Sequence, residues 1–440
     1  MKQIQSFRKS ILAWNVSVAF VIQVTGYAVT FILNVLLARW LGAEQYGSFI
    51  FFKNGATIIG IFGTLGLFGT ALKFISSYQA TSRLDMLRGL IVFSTIITLI
   101  ISTLLTLFAI VLIGIFPPGG INLTALLPYS PIIILIALHI LYADILRGMN
   151  YIFEAIAPTD LIRPIVMLTI VLLMNVFFEF NLLEVTIFAF GISTILMILY
   201  QLAITALTLL RTKAAASRYQ IREWLVFGFE SLFFQGTIIL RTEFTPVIIG
   251  YLLAGSDVGL FVVAERAGYV TAFLFNAVRR VFEPMIAPLY ETGDLEELNR
   301  VHIRITRWTF RVTLLISIVI IAFSDFLLSL FGEEFIAARP LLIIILLGQL
   351  INAATGQAGS ILRFAGYEKL VRNIMAISTA LMLISTIILT AMIGIMGTAI
   401  SISAGVIIQN IAFYLAMKRH LGLTLPLSTF RLPGSSQHHA

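Results

Sequence analysis

Three basic side chains stand inside long apolar stretches of this chain, where a charge is costly. Lys53, Arg241 and Arg266 each lie among residues typical of membrane-spanning helices. A cation at the centre of such a helix costs at least about 2.5–3.5 kcal/mol on insertion scales, so its presence indicates a function. Positive charge away from water suits the binding of an anionic group such as a phosphate. We therefore predict that these three residues bind an anionic substrate.

Each of the three cations also has a structural explanation. Arg241 lies near the middle of its apolar stretch, where an ion pair with an acid would equally account for it. Lys53 and Arg266 lie within roughly 12 Å of the outer ends of their predicted spans, at the rise of an α-helix. A long basic side chain at that depth reaches the membrane surface, so snorkelling is the alternative for both.

Acidic residues share these stretches. Glu230, Glu243 and Glu265 all fall within predicted spans. Intramembrane acids often bind transported protons or sodium ions, and each of the three is a candidate for such coupling. The alternative is that they serve as counter-ions for the buried cations.

Neutral polar residues complete the candidate site. Gln23 and Asn34 lie in the first span and either contact a hydroxyl-bearing substrate or join helices. Thr237 is four residues before Arg241 and so shares its helix face. His139, in the fourth span, is predicted to be a packed, hydrogen-bonded histidine.

Composition places the chain in a membrane. Apolar residues make up 59% of its 440 residues and charged residues 11%, with a mean hydropathy of +1.01. An ordinary soluble domain has about a quarter of its residues charged, and apolar runs of about 18 residues indicate membrane spans. We predict an all-α integral membrane protein of about twelve transmembrane helices in two pseudo-symmetric six-helix bundles. The alternative of ten spans would leave apolar segments unplaced. The predicted spans are 11–38, 47–68, 90–116, 126–146, 161–178, 183–210, 224–253, 258–282, 310–331, 341–362, 374–393 and 396–417.

The basic residues predict the orientation. With the amino terminus in the cytoplasm, 24 of the 29 Lys and Arg residues fall at the termini, in inner loops or on the adjoining helix ends. Only Arg39 and Arg339 fall on the opposite side. Because cytoplasmic loops are rich in Lys and Arg, we predict that both termini are cytoplasmic. This distribution also accounts for the net charge of +8 without nucleic acid as a partner.

The chain divides into two predicted halves. Residues 1–210 form an amino-terminal six-helix lobe, 211–223 a basic cytoplasmic linker, 224–417 a second six-helix lobe and 418–440 a cytoplasmic tail. A shift of 212 residues aligns the polar turn GAEQYG, residues 42–47, with AGSDVG, residues 254–259. Two six-span halves share one orientation, which is typical of parallel repeats.

Three local signals concern helix packing. Residues 39–47 predict a polar turn between the first two spans. Glycines recur every third residue from Gly60 to Gly69 and predict close approach of another helix backbone. Pro246 removes a helical hydrogen bond and predicts a kink close to it.

Signals of catalysis are absent from the sequence. It contains no cysteine, no nucleotide-binding glycine loop, no histidine cluster and no acid pair on a water-accessible loop. We predict that the protein is not an enzyme and uses neither a metal nor a cofactor.

The stretch LLARWLGAEQYGSFIF followed by GTLGLFGTALKFI resembles the amino-terminal signature of bacterial oligosaccharide flippases. These are the Wzx-like polysaccharide transporters of the MOP superfamily, relatives of MurJ and of MATE exporters. The resemblance implies transfer of undecaprenyl-pyrophosphate-linked oligosaccharide from the inner to the outer leaflet by alternating access. It also implies a cationic central cavity in which Lys53 is an expected member. The implied location is the bacterial inner membrane, in contact with lipids and other polysaccharide-assembly proteins.

Two other functions are compatible with a polytopic membrane protein. A MATE-type multidrug antiporter favours organic cations and a mainly acidic cavity, whereas three cations lie within the spans here. A membrane glycan polymerase or ligase usually has a sizeable outer loop with catalytic side chains, and no predicted outer loop is long enough.

Overall fold

The computed structural model describes residues 2–117, 121, 126–177, 181–211 and 216–425, with side chains from Thr25 onward except at 175–177, 211, 234, 238, 269, 270, 272–274, 276, 277, 280 and 281. The described residues form helices and connecting turns and contain no β-strand. The helices are α1 (Lys2–Gly63), α2 (Leu67–Ala80), α3 (Leu84–Ile115), α4 (Pro131–Gly148), α5 (Ile152–Ala157), α6 (Arg163–Phe177), α7 (Leu182–Arg211), α8 (Ile221–Leu252), α9 (Gly255–Glu291), α10 (Leu295–Ala322), α11 (Ser324–Ser329), α12 (Arg339–Thr355), α13 (Ala358–Phe364), α14 (Glu368–Ile393) and α15 (Ile395–Leu421).

Nine helical segments among the described residues are long and apolar enough to cross a membrane, and the bent α8 makes a tenth. The all-α membrane architecture is therefore confirmed, whereas the count of twelve is not. The difference has two sources. The first two predicted spans are counted as one segment, Thr25–Gly63, although the kink at Gly42 divides it, and the predicted span 258–282 on α9 is not among the ten.

The predicted break between the first two spans is present within residues 39–47, as a kink and not as a longer turn. Helix α1 consists of two helices that meet at Gly42, which leaves helical geometry with φ 70° and ψ 172°. A single glycine accomplishes the break because it lacks the Cβ that makes a positive φ costly for other residues. The following residues are helical, and Tyr46 is fully buried.

The chain forms two compact units, Met1–Val258 and Gly259–Ala440. In the first unit, helices α2, α3, α4 and α8 share one apolar core. Trp224 is fully buried in this core, so α8 packs with the helices that precede the basic linker. This boundary differs from the division at 211–223, which remains a prediction about six-helix lobes.

The glycines between Gly60 and Gly69 make the close contacts that their spacing predicts, but with three different helices. A Cβ on Gly60 would lie 3.2 Å from the backbone nitrogen of Ala137 on α4, and one on Gly63 would lie 2.8 Å from the Ser102 Cβ on α3. Gly66 and Gly69 face α8 instead. Gly60 and Gly63 belong to α1, Gly66 lies in the break before α2 and Gly69 belongs to α2, so the glycine series contacts several neighbours.

In the second unit, helices α9, α10, α13, α14 and α15 contribute to an apolar core that includes Phe282, Leu298 and Phe413. Helix α10 also packs against α12. The buried face of α10 is largely polar, with residues His302, Thr306, Thr309, Thr313 and Ser317. Polar side chains on a buried face are characteristic of helix association in membranes.

Candidate functional site

Helix α8 holds four of the predicted site residues. Glu230 is exposed, whereas Thr237, Arg241 and Glu243 are partly buried. The helix bends by 56° between Thr237 and Ile239. This bend separates Glu230 from the other two charged candidates, Arg241 and Glu243. Helix α8 packs against α1 and α2 in the first unit.

The position of this bend corrects the prediction at Pro246. The bend lies eight residues before the proline, beyond the single turn that a proline ring disturbs. Gly236 is two residues from the bend and has open space beside it. Because glycine is among the weakest helix formers, Gly236 is the nearer cause of the bend.

The contact between α2 and α8 is built on Trp224. Its indole Nε1 donates a hydrogen bond to the Tyr78 hydroxyl at 2.9 Å, and that hydroxyl donates to Gln220 Oε1 at 3.0 Å. The Thr70 hydroxyl donates to the Trp224 carbonyl at 3.1 Å. Burial raises the pKa of the Tyr78 phenol, and this keeps the hydroxyl available as a neutral donor. The first turns of α8 are thereby fixed against α2.

A groove of about 690 Å³ lies beside this contact. Lys73 on α2 holds its Nζ 3.9 Å from the centre of the Phe227 ring, within the range of a cation–π interaction. Glu230 belongs to the same wall. The lining residues are Lys73, Phe74, Gln220, Ile221, Arg222, Glu223, Val226, Phe227 and Glu230.

The chemistry of this groove is mixed. Cations pair with phosphate, carboxylates and amides accept hydrogen bonds from hydroxyls, and aromatic faces supply apolar contact. The sequence-based site includes Glu230 but misses Lys73, because Lys73 follows the predicted end of the second span. The adjacent Lys73–Phe74 pair is the only local signal.

Glu243 interacts electrostatically with Arg163 on α6, which also interacts with Asp160. The Arg163 guanidinium lies 5.5 Å from the centre of the Phe190 ring. Arg163 is thus a further intramembrane cation beside predicted site residues, and its place near a span end concealed it in the sequence. These contacts favour the counter-ion alternative for Glu243.

The structure shows partners for two of the neutral polar candidates. Asn34 is buried, accepts a hydrogen bond at 2.9 Å from the Tyr46 hydroxyl and donates to the Thr30 carbonyl at 2.6 Å. Asn34 therefore joins the two halves of α1, which is the second of its predicted roles. The Thr237 hydroxyl donates to the Phe233 carbonyl at 2.8 Å. Gln23 lies outside the residues whose side chains are described.

His139 is hydrogen-bonded through both ring nitrogens. Its Nδ1 lies 3.1 Å from Gln201 Oε1 and its Nε2 lies 2.9 Å from the Thr159 hydroxyl. The ring is buried. The prediction of a packed, hydrogen-bonded histidine is confirmed.

The remaining candidates lie on α1 and α9. Lys53, in the second half of α1, is partly buried in the first unit. Glu265 and Arg266 are partly buried on α9 in the second unit, and the Arg266 Nε is buried without a hydrogen-bond partner. Among the described residues, no group of three His, Asp or Glu side chains is arranged to hold a metal ion.

Solved structures with the same fold are transporters. The chain is 18% identical to the lipid II flippase MurJ in an inward closed conformation, covering 94% of this chain and 89% of that one with a TM-score of 0.71. It is 16% identical to an inward-facing multidrug resistance MATE transporter of the MOP superfamily, covering 90% and 94% with a TM-score of 0.70. For a point mutant of the Vibrio cholerae MATE transporter VcmN, the identity is also 16%, with coverage of 94% and 98% and a TM-score of 0.57.

No curated protein matches the chain. At these identities the structural likeness establishes the fold alone, which this chain shares with those MurJ and MATE structures. The model of the family described as "polysaccharide biosynthesis protein" matches residues 12–289, more than half of the chain. The resemblance of residues 36–51 and 63–75 is thereby confirmed, and the chain belongs to the polysaccharide biosynthesis protein family.

Proposed function

We propose that the protein is a flippase that moves undecaprenyl-pyrophosphate-linked oligosaccharide from the inner to the outer leaflet of a bacterial inner membrane. In this proposal it works by alternating access with a cationic central cavity, and it supplies cell-surface polysaccharide biosynthesis. Membrane lipids and other polysaccharide-assembly proteins are its proposed partners. Family membership supports the pathway, and the shared fold supports the transport mode.

The head group of such a substrate sets the chemical requirement. A pyrophosphate carries negative charge and a glycan carries many hydroxyls, so neither crosses hydrocarbon without polar partners. Lys53, Arg241 and Arg266 are proposed to bind the pyrophosphate. Thr237 and Gln23 remain proposed hydroxyl contacts, whereas Asn34 already bonds within α1.

The observation that supports the proposal most is the position of Arg241. It follows the bend of α8, and the part of α8 before the bend lines the groove that contains Lys73 and Glu230. Helix α8 thus carries charged side chains both at the groove, before its bend, and further along the span, after the bend. A sugar phosphate moving along α8 would meet both.

Replacing Arg241 tests the proposal. We expect Arg241→Ala to lower the flipping rate at least about tenfold, equivalent to 1.4 kcal/mol, because the phosphate loses a charged partner. Arg241→Lys should be milder if charge alone matters. The measurement is transfer of a fluorescent undecaprenyl-pyrophosphate-linked oligosaccharide across vesicles containing the purified protein, together with glycan export in cells.

The matched control is Arg372→Ala, which removes an exposed arginine from α14. Normal flipping by Arg241→Ala in a protein that inserts normally would contradict the role of Arg241. The same vesicles test ion coupling. If Glu230, Glu243 or Glu265 binds the coupling ion, its replacement by Gln should abolish the response to an imposed proton or sodium gradient.

The likeness to MATE transporters favours drug antiport as a second candidate. Uptake of a cationic dye by the same vesicles, with no transfer of the lipid-linked oligosaccharide, would support antiport instead. Appearance of polymerised glycan in the reaction would support the polymerase or ligase.

A further inference from the structure

The second unit contains a helix break bordered by buried polar atoms. Helix α12 ends at Thr355 and α13 begins at Ala358. Between them Gly356 has φ +67°. A helix end within a membrane protein leaves backbone groups that require other protein groups or water as partners.

Several side-chain atoms at this break have no hydrogen-bond partner. His302 is fully buried, and neither of its ring nitrogens is bonded. The Thr306 hydroxyl and the Gln357 Nε2 are likewise buried and unbonded. A Cβ on Gly356 would lie 2.6 Å from His302 Nε2 and would collide with Thr306 Oγ1, so both atoms lie close against the backbone of the break.

Leaving such groups unsatisfied is expensive, at about 1–3 kcal/mol for each buried donor or acceptor. His139 makes the contrast clear, because it is also buried yet bonds through both nitrogens. The polar groups at the break, on His302, Thr306 and Gln357, therefore call for a hydrogen-bonding partner.

The donors and acceptors at the break identify this occupant. A neutral imidazole has one donor and one acceptor, a threonine hydroxyl does both, and the Gln357 NH2 only donates. A metal cation requires acceptors alone, so an imidazole N–H and an amide NH2 at the break oppose it. Water both donates and accepts, and buried water typically makes about three hydrogen bonds of this kind.

We propose that the break between α12 and α13 is a hydrated proton-binding site in which His302 is the acceptor. A lone pair on a ring nitrogen takes a proton that the bound water relays from a hydronium ion of the solvent, so the water is regenerated and the product is an imidazolium. Neutral imidazole is the form that has this lone pair. No redox partner or leaving group is involved.

The charged side chains on the helices that pack around His302 do not provide it with a counter-ion. Among the described residues, no charged side chain interacts electrostatically with its ring. Glu283 on α9 pairs with Arg363 on α13 at 2.8 Å and with Arg279 at 3.9 Å. On α10, Arg300 pairs with Glu296 and Glu297.

The other packed helices contribute charges only at their ends. Arg339, at the start of α12, pairs with Asp325 at 3.0 Å. On α14 and α15 the charged and titratable groups are exposed near the ends that adjoin this core: Glu368, Lys369, Arg372, Lys418, Arg419 and His420. A proton on His302 therefore adds a positive charge to the second unit that no neighbouring acid balances. The neutral ring and the protonated ring consequently favour different surroundings.

Deuterium exchange at the imidazole C2 position tests proton binding without any variant. This exchange requires both water and a protonated ring, and mass spectrometry resolves each histidine in the purified full-length protein. We expect His302 to exchange at least tenfold faster than His139, with exposed His420 as the fast reference. Exchange of His302 no faster than that of His139 would overturn the proposal, because it would indicate a dry ring.

A transport measurement tests the consequence, which rests on the proposed function. His302→Gln keeps a polar side chain that water can satisfy but cannot take up a proton. We expect flipping by this variant to lose its response to an imposed proton gradient, whereas His420→Gln keeps the wild-type response. A wild-type response in His302→Gln, or a response to sodium alone, would overturn the coupling role.

The two measurements fail separately. Absence of oligosaccharide flipping by the wild-type protein would contradict the proposed function and leave the exchange result of His302 standing. Conversely, normal flipping together with exchange of His302 no faster than that of His139 would contradict only the proposed proton-binding site.

Discussion

At the scale of single residues, the polar groups of the spans have two different uses. Asn34 and Tyr46 form a hydrogen bond between the two halves of α1, and His139 forms hydrogen bonds with Gln201 and Thr159. Such groups hold helices together in a medium that offers no water. Polarity inside a span therefore identifies a substrate contact only when the packing leaves the group accessible.

The Asn34–Tyr46 bond provides a stability prediction. Tyr46→Phe removes the hydroxyl and leaves the Asn34 Oδ1 buried without that donor, so we expect destabilisation by about 1–3 kcal/mol. The measurement is thermal unfolding in detergent. Tyr200→Phe is the matched control, because it removes an exposed hydroxyl from α7. Equal melting temperatures for the two variants would contradict the assigned importance of the bond.

At the scale of helices, glycine determines how closely α2 approaches α8. A Cβ on Gly66 would collide with the Gly228 carbonyl oxygen and would lie 2.8 Å from the Leu232 backbone nitrogen. Gly66 also has φ +73°, which is costly for residues with a Cβ. The contact that fixes Trp224 and the adjoining groove depends on this approach.

We predict that Gly66→Ala destabilises the protein by at least about 2 kcal/mol, because backbone atoms must move and the positive φ costs about 1–2 kcal/mol. The comparison variant is Gly55→Ala on α1, where nothing lies within 4 Å of the new Cβ. Unfolding of both variants in detergent measures the difference. Gly66→Ala with the stability of Gly55→Ala would show that α2 and α8 are not in close contact.

At the scale of the whole molecule, one hydrogen bond joins two positions that the predicted repeat relates. The Ser256 backbone N–H, in the first turn of α9, donates to Glu44 Oε2 at 3.0 Å. These residues are counterparts under the 212-residue shift, and both belong to the first unit. The parallel repeat itself remains a prediction. A carboxylate at a helix N-terminus is also favourable in itself.

The predicted orientation can be measured directly, because the chain has no cysteine of its own. We expect Asn181→Cys and Glu333→Cys to react with a membrane-impermeant maleimide added to intact spheroplasts, since both lie in predicted outer loops. Thr292→Cys should react only after the membrane is opened, since it lies in a predicted inner loop. All three positions are exposed. Labelling of Thr292→Cys in intact spheroplasts would contradict cytoplasmic termini.

The sequence alone determined the membrane class, the helical content, the family and the close packing of Gly60–Gly69. These properties follow from hydropathy and residue spacing, which are local quantities. Only the tertiary structure decided that Asn34 forms a hydrogen bond with Tyr46 and that Trp224 belongs to the core of the first unit. The same is true of the contact between the Lys73 ammonium and the Phe227 ring at the groove. The sequence likewise gave no sign that both ring nitrogens of His302 lack a hydrogen-bond partner. Each of these facts depends on which distant helices meet, and an apolar chain permits many such pairings at similar hydropathy.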